Sequence, residues 1–457
     1  MPNPTHKRYI LILLLFFHTV HTYMDRICIS AASGDIKSDL GLNDQMMGYI
    51  FGIFAFGYAL FQIPSGWIAD HYGPKKALTW VVMAWSSFTA LSGAAWNAVS
   101  MLLFRFLFGV GEAGAFPGAT RAFYNWIPAK ERGLANGIFH SGARFGAAAS
   151  LFIFPFLIQS IGWRLTFLLN GAIGIVWVVI WVLWFKDKPS QNKNVSPEEL
   201  SLIEAGITES AKAEGKTPLA AVLTSGNVLM LMFQYAASNI TFFISFTWLL
   251  PYLVSQWGAD AGIYAPVPLV FGVFAQWTAG FLITFVYEKG YPSLSRKIPA
   301  VVGFSIAVLG LVLLAFVDHL SALSFVLLFS VAVFGVEMTI SPSWSVCMDI
   351  GGDKSGTVSA TMNMVGNIGS AVSAIIFPFF VAHVGIPLLS ISTGTAKSFF
   401  LFAAGMNVLA IGAWVYVSPG RRPVTTDPSR VRRRLVLLLV IIFVLMAGSL
   451  LYKFLNP

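Results

Sequence analysis

Ionisable side chains interrupt long apolar stretches of the sequence, and their types and spacing indicate a chemistry. Asp25 and Arg26 are adjacent in the first apolar stretch, and Arg105 and Glu112 lie seven residues apart in the fourth. Seven residues are two helical turns, so the latter two share one helix face. A guanidinium offers a carboxylate a planar fork of donors. Arg26 and Arg105 therefore predict an anionic ligand, and Asp25 and Glu112, each stabilised by a nearby arginine, predict proton carriers.

A purely structural interpretation of the same four residues stays open. Buried ion pairs can hold two helices in register without any transport role. Against it, an ionisable group inside a membrane helix costs several kcal/mol unless it is paired or faces a wet cavity. His18 and His21 precede Asp25 by seven and four residues. They either extend a proton path or pack as ordinary helix residues.

Further polar residues in apolar stretches are candidate ligand contacts. Arg144 lies in the segment SGARFG, where Gly142 and Gly146 predict close helix packing. Arg144 is a third anion contact or a tie between helices. In the second half, neutral hydrogen-bonding groups suit a hydroxylated ligand. They are Asn239, Thr241, Ser245, Ser341, Trp344, Asn363 and Asn367, and Glu337 adds a carboxylate that is either a proton site or a gate partner.

The elements that carry these residues are predicted to be membrane-spanning helices. The chain has 457 residues, of which 56% are hydrophobic and 11% charged. Apolar blocks of about 20 residues match the length that a helix needs to cross a bilayer. We predict an all-α polytopic membrane protein with helices near 9–33, 46–69, 77–96, 98–120, 134–158, 162–185, 228–256, 264–287, 298–317, 321–345, 355–383, 396–417 and 435–455.

The polar segments between these blocks predict the domain organisation. Residues 1–185 form a first six-helix bundle, 186–226 a cytoplasmic linker, 227–418 a second six-helix bundle, and 419–457 a basic segment with an extra crossing. The last run, Leu435 to Leu455, has no polar face, which favours a crossing over an interfacial helix. Ser196 to Glu199 resembles a helix-capping pattern and predicts a short surface helix in the linker.

The distribution of charge predicts topology. The formal net charge is +9, but the basic residues gather in every second loop at helix ends. This pattern indicates cytoplasmic loops and no nucleic-acid partner. It places the N-terminus and the linker in the cytoplasm and the C-terminus outside. Cys28 and Cys347 give no disulfide framework, and we expect no cofactor, no metal site and no enzyme activity.

The segment GWIADHYGPKK carries the most specific motif. Gly66, Asp70, Gly73, Lys75 and Lys76 resemble the signature loop between helices 2 and 3 of the major facilitator superfamily. Glycine allows a neighbouring helix to approach closely, and the acid suits a helix N-terminus or a cytoplasmic base. This makes the five residues a candidate gating motif, with an ordinary tight turn as the alternative. His71 departs from the family pattern, and the second-half copy has Thr284 in place of the acid.

A narrower resemblance, covering nearly residues 8–418, is to the anion:cation symporter family. It rests on Tyr23, Asp25, Arg26, Arg105, Glu112 and the run from Ser341 through Asp349 to Asn367. The resemblance implies two six-helix bundles that expose a central site alternately, in a bacterial inner membrane. It implies an organic anion as cargo, usually moved with protons. It also adds Tyr58, which matches a tyrosine lining the cavity of sugar-acid carriers, with core packing as the alternative.

These observations lead to one prediction of function and to several alternative functions. We predict a monomeric proton symporter that imports a hexuronate or aldonate, with the anion, protons and membrane lipid as its partners. An uncoupled uniporter or exchanger, or a carrier of aromatic or vitamin carboxylates, fits the same charges. A transporter-like anion sensor is the remaining rival, but a linker of about 40 residues offers little room for a signalling domain.

Overall fold

The computed structural model describes residues 5–211, 219–389 and 391–419, and within these ranges the chain is almost entirely helical. The predicted crossing at 435–455 lies outside the described residues. In chain order the helices are α1 (Lys7–Ala31), α2 (Ser33–Leu40), α3 (Asp44–Tyr72), α4 (Pro74–Gly93), α5 (Ala98–Glu112), α6 (Ala115–Trp126), α7 (Arg132–Trp184), α8 (Pro197–Ala211), α9 (Leu219–Leu223), α10 (Gly226–Phe242), α11 (Ile244–Thr247), α12 (Leu249–Trp257), α13 (Val267–Glu288), α14 (Pro292–Phe316), α15 (Ala322–Glu337), α16 (Ile340–Gly351), α17 (Ser355–His383) and α18 (Lys397–Tyr416).

Most predicted crossings appear as helices that are long and apolar enough to span a membrane. The described residues contain nine such stretches. Two of them, 132–184 and 322–383, each contain two of the predicted crossings. The predicted third crossing is α4, which is helical but is not among the nine. The all-helical class predicted from the sequence is therefore confirmed for the part of the chain that the structure describes.

Three predicted helices are interrupted, and in each of them one break is followed by a proline within four residues. The stretch predicted at 98–120 divides into α5 and α6, that at 228–256 into α10, α11 and α12, and that at 321–345 into α15 and α16. Pro117, Pro251 and Pro342 stand just beyond these breaks. A proline has no N–H to donate to the carbonyl four residues earlier. Each of these predicted crossings therefore consists of shorter helices, and the missing N–H contributes to the break beside each proline. The break at Phe243 has no proline beside it.

A glycine marks the boundary between the predicted fifth and sixth crossings. The two run on as α7, but Gly162 inside it has φ 78° and ψ 160°, which is not helical. Only glycine adopts this left-handed φ without steric cost. The predicted boundary between 158 and 162 is therefore confirmed, as a bend at one residue.

The chain divides into two compact units. The first comprises Met1–Lys212 with Gly351–Thr361, and the second Ala213–Ile350 with Met362–Pro457. In the first unit α1 packs on α7, α3 on α5, and α4 on both α5 and α7. In the second, α14 packs on α15 and α18, and α13 on α14 and α15. The domain boundaries at 185 and 226 stay predictions.

The start of the chain is tied to the linker helix α8. The Thr5 backbone N–H donates to the Ser196 hydroxyl at 3.2 Å, and the Ser196 backbone N–H donates to the Thr5 hydroxyl at 2.9 Å. The Thr5 hydroxyl donates to Glu199 Oε2 at 2.6 Å, and the Arg8 guanidinium pairs with Glu199 at 3.0 Å. Arg8 also pairs with Glu131 at 2.7 Å. The predicted linker helix thus begins at Pro197, with Glu199 buried against the first helix.

Candidate functional site

Arg26 and Glu112 form a buried ion pair between α1 and α5. Arg26 Nε donates to Glu112 Oε1 at 2.6 Å, and Glu112 is fully buried. The Arg26 guanidinium also lies over the rings of Tyr58, Tyr23 and Phe54, at 4.6, 5.0 and 5.4 Å. Cation–π contacts of this kind stabilise a guanidinium that has left water. The structure therefore brings together the predicted residues Arg26, Glu112, Tyr23 and Tyr58, and it adds Phe54.

Arg105 is a buried cation with unsatisfied donors. Its side chain is 2% exposed, and its Nε and Nη1 have no hydrogen-bond partner among the described residues. The guanidinium lies over Phe108 at 4.3 Å and Phe54 at 5.2 Å. A buried donor without a partner costs free energy that an accepting ligand restores. An anionic group of a ligand is the natural acceptor for a forked guanidinium.

Asp25 has different partners from those predicted. The sequence suggested that a nearby arginine stabilises this carboxylate. Instead, Asn170 Nδ2 donates to Asp25 Oδ1 at 2.8 Å, and His21 Nδ1 lies 3.4 Å from Asp25 Oδ2. Arg105 contributes through longer-range electrostatic attraction. Helical spacing puts His21 one turn from Asp25, whereas α7 brings Asn170 in from a distant part of the chain.

Arg144 touches the same aromatic group from α7. Its Nη1 lies 3.4 Å from the Tyr23 hydroxyl, and its guanidinium stands 5.8 Å from the Tyr23 ring centre. A Cβ on Gly142 would lie 2.7 Å from the Phe16 carbonyl oxygen, and one on Gly146 would also collide with the backbone of α1. The predicted close packing at these glycines is confirmed. It brings Arg144 near enough to α1 to act as a tie.

Neutral polar residues of the second unit meet around Tyr235, which the sequence analysis missed. Trp344 Nε1 donates to the Tyr235 hydroxyl at 3.2 Å, and Asn239 Nδ2 donates to the Tyr235 backbone carbonyl at 2.7 Å. Ser370 Oγ donates to Asn239 Oδ1 at 3.3 Å. A tyrosine in an apolar helix carries no sequence signal that separates a site from a core.

Other predicted residues of this unit take part in helix packing. Asn367 Nδ2 donates to the backbone carbonyl of Asn363 at 2.8 Å. Ser341 is fully buried and Asn363 is 8% exposed. Glu337 Oε2 accepts a hydrogen bond of 2.5 Å from Gln276 Nε2, and both side chains are buried. Glu337 therefore has a neutral amide as a partner on α13.

The candidate gating motif surrounds the first turn of α17. Asp70 accepts hydrogen bonds from the backbone N–H groups of Gly356 and Thr357, at 2.9 and 2.7 Å, and from the Thr357 hydroxyl at 2.6 Å. A Cβ on Gly66 would lie 2.7 Å from the Gly356 carbonyl oxygen. Asp70 therefore occupies a helix N-terminus, one of the two positions predicted for it.

The remaining motif residues shape the turn itself. Gly73 has φ 86°, and a Cβ on it would lie 2.9 Å from the carboxylate of Asp187. Asp187 Oδ1 accepts a hydrogen bond of 2.8 Å from the Lys75 backbone N–H, while the Lys76 side chain is exposed. The turn thus joins α3 to α4 and, through Asp187, to the end of α7.

Comparisons with known proteins agree on one family. The sequence matches the model of the Major Facilitator Superfamily over residues 15–374. It is 32% identical to the probable sulfoacetate transporter of Cupriavidus necator over 368 residues, which cover 79% of this chain and 85% of the relative. It is 31% identical to the hexuronate transporter of Bacillus subtilis over 408 residues, covering 87% and 92%. It is also 31% identical to a probable galactarate/D-glucarate transporter of Escherichia coli, covering 83% and 89%.

A solved structure has the same fold. The proton:xylose symporter XylE matches with a TM-score of 0.68 over 90% of this chain and 96% of its own. The identity is 14%, so this likeness concerns the fold alone.

Proposed function

The chain belongs to the Major Facilitator Superfamily, whose members are transporters and not enzymes, and from that premise we propose that it carries a small organic anion together with protons. The observation that most directly supports this proposal is the state of Arg105. Its guanidinium is buried, and its Nε and Nη1 have no hydrogen-bond partner among the described residues. It interacts electrostatically with both Asp25 and Glu112. An anion that binds these donors therefore changes the electrostatic environment of two carboxylates at once.

Charge compensation links the anion to the proton in this proposal. Arg26 is already paired with Glu112. An anionic substrate that draws the Arg26 guanidinium towards itself weakens that pair and leaves Glu112 buried and uncompensated. A buried uncompensated carboxylate takes up a proton. Asp25 and Glu112 are therefore our proposed proton carriers, and Arg26 and Arg105 our proposed anion contacts.

For the cargo we propose a sugar acid, with a hexuronate or an aldonate first. Two relatives reported above are named for sugar acids: one is a hexuronate transporter and the other a probable galactarate/D-glucarate transporter. The neutral donors and acceptors of the second unit, including Asn239 and Trp344, suit the hydroxyl groups of such an anion. The sulfoacetate relative points to a smaller anion without hydroxyl groups as the second candidate.

Uptake into proteoliposomes tests this function. The panel contains a labelled hexuronate, an aldonate, an aldarate and sulfoacetate, each with and without an imposed inward proton gradient. We expect accumulation above equilibrium for at least one anion under the gradient. Asp25→Asn and Arg105→Ala should abolish accumulation, whereas Asp318→Asn, which changes an exposed carboxylate of the second unit, should leave it intact.

Two further outcomes would replace the proposal. Equilibration of the anion that the gradient does not change would indicate a uniporter or exchanger. Binding without any uptake would indicate a sensor.

Arg105→Lys separates charge from geometry, because lysine keeps the positive charge and loses the forked donors. We expect it to retain weak binding with at least a tenfold loss of affinity, the equivalent of about 1.4 kcal/mol.

A further inference from the structure

His21 makes two contacts that together determine where its protons lie. The imidazole is 5% exposed on α1, one turn before Asp25. Its Nε2 lies 2.9 Å from the backbone carbonyl oxygen of Asn170, and its Nδ1 lies 3.4 Å from Asp25 Oδ2. A carbonyl oxygen only accepts hydrogen bonds, so Nε2 carries a hydrogen. A neutral imidazole has only one N–H, which leaves Nδ1 as a bare acceptor.

The carboxylate opposite Nδ1 is held in place by the same asparagine. Asn170 Nδ2 donates to Asp25 Oδ1 at 2.8 Å, which leaves Oδ2 facing the imidazole. Asn170 therefore fixes the His21 tautomer through its backbone and the carboxylate through its side chain. With Asp25 ionised and His21 neutral, two acceptors face each other. One additional proton converts this repulsion into a hydrogen bond.

We infer that Asp25 and His21 form one proton-binding site, in which a single proton is shared between Asp25 Oδ2 and His21 Nδ1. The proton belongs to the pair and not to either residue, as in other strongly coupled sites. The use of this site in transport rests on the proposed function, but proton sharing itself does not.

Packing around the pair buries both side chains and holds them in place. The imidazole of His18 lies between the rings of Trp85 and Trp177, at 5.0 and 4.9 Å. Trp85 and Thr89 of α4 face Asp25. A Cβ on Gly174 would lie 2.9 Å from His21 Cε1, so only glycine leaves room for the ring. The titratable and charged groups around the pair are His18, Arg26 and Cys28 on α1 and Arg105 and Glu112 on α5.

The state of this site affects the anion contact at Arg105. With the shared proton the pair is neutral overall, and without it the pair carries one negative charge. The ionised pair competes with a substrate anion for the guanidinium of Arg105, which it attracts electrostatically. Protonation removes that competition. Proton binding at His21 and Asp25 therefore strengthens anion binding, and by reciprocity the anion strengthens proton binding.

Nitrogen-15 NMR tests proton sharing without any transport assay. The purified protein, labelled at its seven histidines, is titrated across neutral pH, and His21→Gln identifies the His21 signals. We expect His21 Nε2 to stay protonated throughout and Nδ1 to report one shared proton that is lost in a single step. Asp25→Asn should abolish that step, and His18→Gln should leave it unchanged. An identical Nδ1 titration in the parent and Asp25→Asn would overturn the inference, as would a neutral His21 protonated at Nδ1.

The pH dependence of proton-driven uptake tests the role of the site. Glutamine is not a base. The site in His21→Gln should therefore bind the proton less tightly than the site in the parent. We expect the midpoint of the uptake profile to move to lower pH by about one unit, the scale of one lost charge-assisted hydrogen bond. His18→Gln, a replacement of the neighbouring buried histidine, should not move the midpoint. An unmoved midpoint in His21→Gln contradicts the role in coupling. If the parent shows no proton-driven uptake, the proposed function fails, while the NMR titration still decides whether the proton is shared.

Discussion

At the scale of single residues, the two buried carboxylates of the candidate site, Asp25 and Glu112, are held by different chemistry. Glu112 faces the guanidinium of Arg26, a permanent cation. Asp25 faces an amide and an imidazole, which is a base that can itself hold a proton. Removing the Glu112 carboxylate leaves the permanent cation of Arg26 buried without its partner. Removing the Asp25 carboxylate leaves the His21 imidazole, which can remain neutral. The two sites should therefore respond differently to substitution.

Glu112→Gln should destabilise the folded protein. The substitution leaves Arg26 without its anion in a largely buried position, at a cost of about 3 kcal/mol. The double variant Arg26→Gln/Glu112→Gln should recover part of this loss, because no charge is left unpaired. Thermal unfolding of the detergent-purified variants measures both effects.

The exposed pair of Asp318 and Lys397 supplies the control for that experiment. Asp318→Asn should give no measurable change in the unfolding temperature, because water solvates both groups. If Glu112→Gln melts with the parent, the Arg26 ion pair does not contribute to stability.

The sequence indicated the unusual residues of this site but not all their partners. Arg26, Arg105 and Glu112 were recognisable because charges are rare in apolar helices. Asn170 is also a polar residue in an apolar stretch, so a signal existed for it, but nothing in the sequence related it to Asp25. That relation depends on how α7 packs on α1, which one sequence does not encode locally.

At the scale of elements, close helix contacts depend on glycines that leave no room for a side chain. Gly174 on α7 lies against Ser86 of α4 and against the His21 ring. Gly111 on α5 lies against the backbone of Trp85, where a Cβ would stand 2.9 Å from its nitrogen. These contacts fix the separation of α4 from its neighbours and hence the position of Trp85 beside the histidines.

Gly174→Ala should destabilise the protein by about 1–3 kcal/mol, because the added methyl group collides with the Ser86 hydroxyl and the His21 ring. Ser86→Ala in the same chain should relieve part of the strain. Gly405→Ala is the matched control, since no atom lies within 4 Å of that Cβ. It should be neutral or stabilising by up to about 1 kcal/mol, because alanine is the better helix former. Unfolding temperatures that fall equally in both variants would exclude a packing role for Gly174.

Helix positions were largely predictable, while their interruptions were not. Apolar length alone located α1, α3, α17 and α18 to within three residues at each end. The prolines inside α3, α7, α14 and α17 leave those helices continuous, whereas Pro117, Pro251 and Pro342 follow breaks. Neighbouring packing decides which prolines interrupt a helix, and a single sequence does not show that packing.

At the scale of the whole molecule, Glu199 connects the start of the chain to the linker helix. Burial alone would raise the pKa of Glu199, but hydrogen bonds from the Thr5 hydroxyl, from the backbone N–H groups of Arg8 and Lys7 and from the Arg8 side chain lower it below its usual range. A carboxylate with a lowered pKa in the folded state stabilises that state above its unfolded pKa of about 4.3. This contribution disappears as the pH falls through the folded pKa.

Glu199→Gln should therefore lower the unfolding temperature at neutral pH. The difference from the parent should shrink as the pH falls below about 4.3 and vanish only below the folded pKa of Glu199. Glu204→Gln, an exposed carboxylate on the same helix α8, serves as the control and should show little difference at any pH. Thermal melts of the three proteins across this pH range measure the effect. A difference that persists unchanged into acid would mean that the ionised form of Glu199 is not what stabilises the connection.

The bond between Thr5 and Glu199 also has a consequence for biosynthesis. The two residues are 194 positions apart, and the contact holds the N-terminal end of α1 against α8. A ribosome releases the first helix long before it makes Glu199. Until then Arg8 lacks its second carboxylate, and Glu131, which stands just before α7, is the first of the two to be made. Helix α1 is therefore made well before the residue that holds its end, so the order of translation and the order in which this contact forms differ.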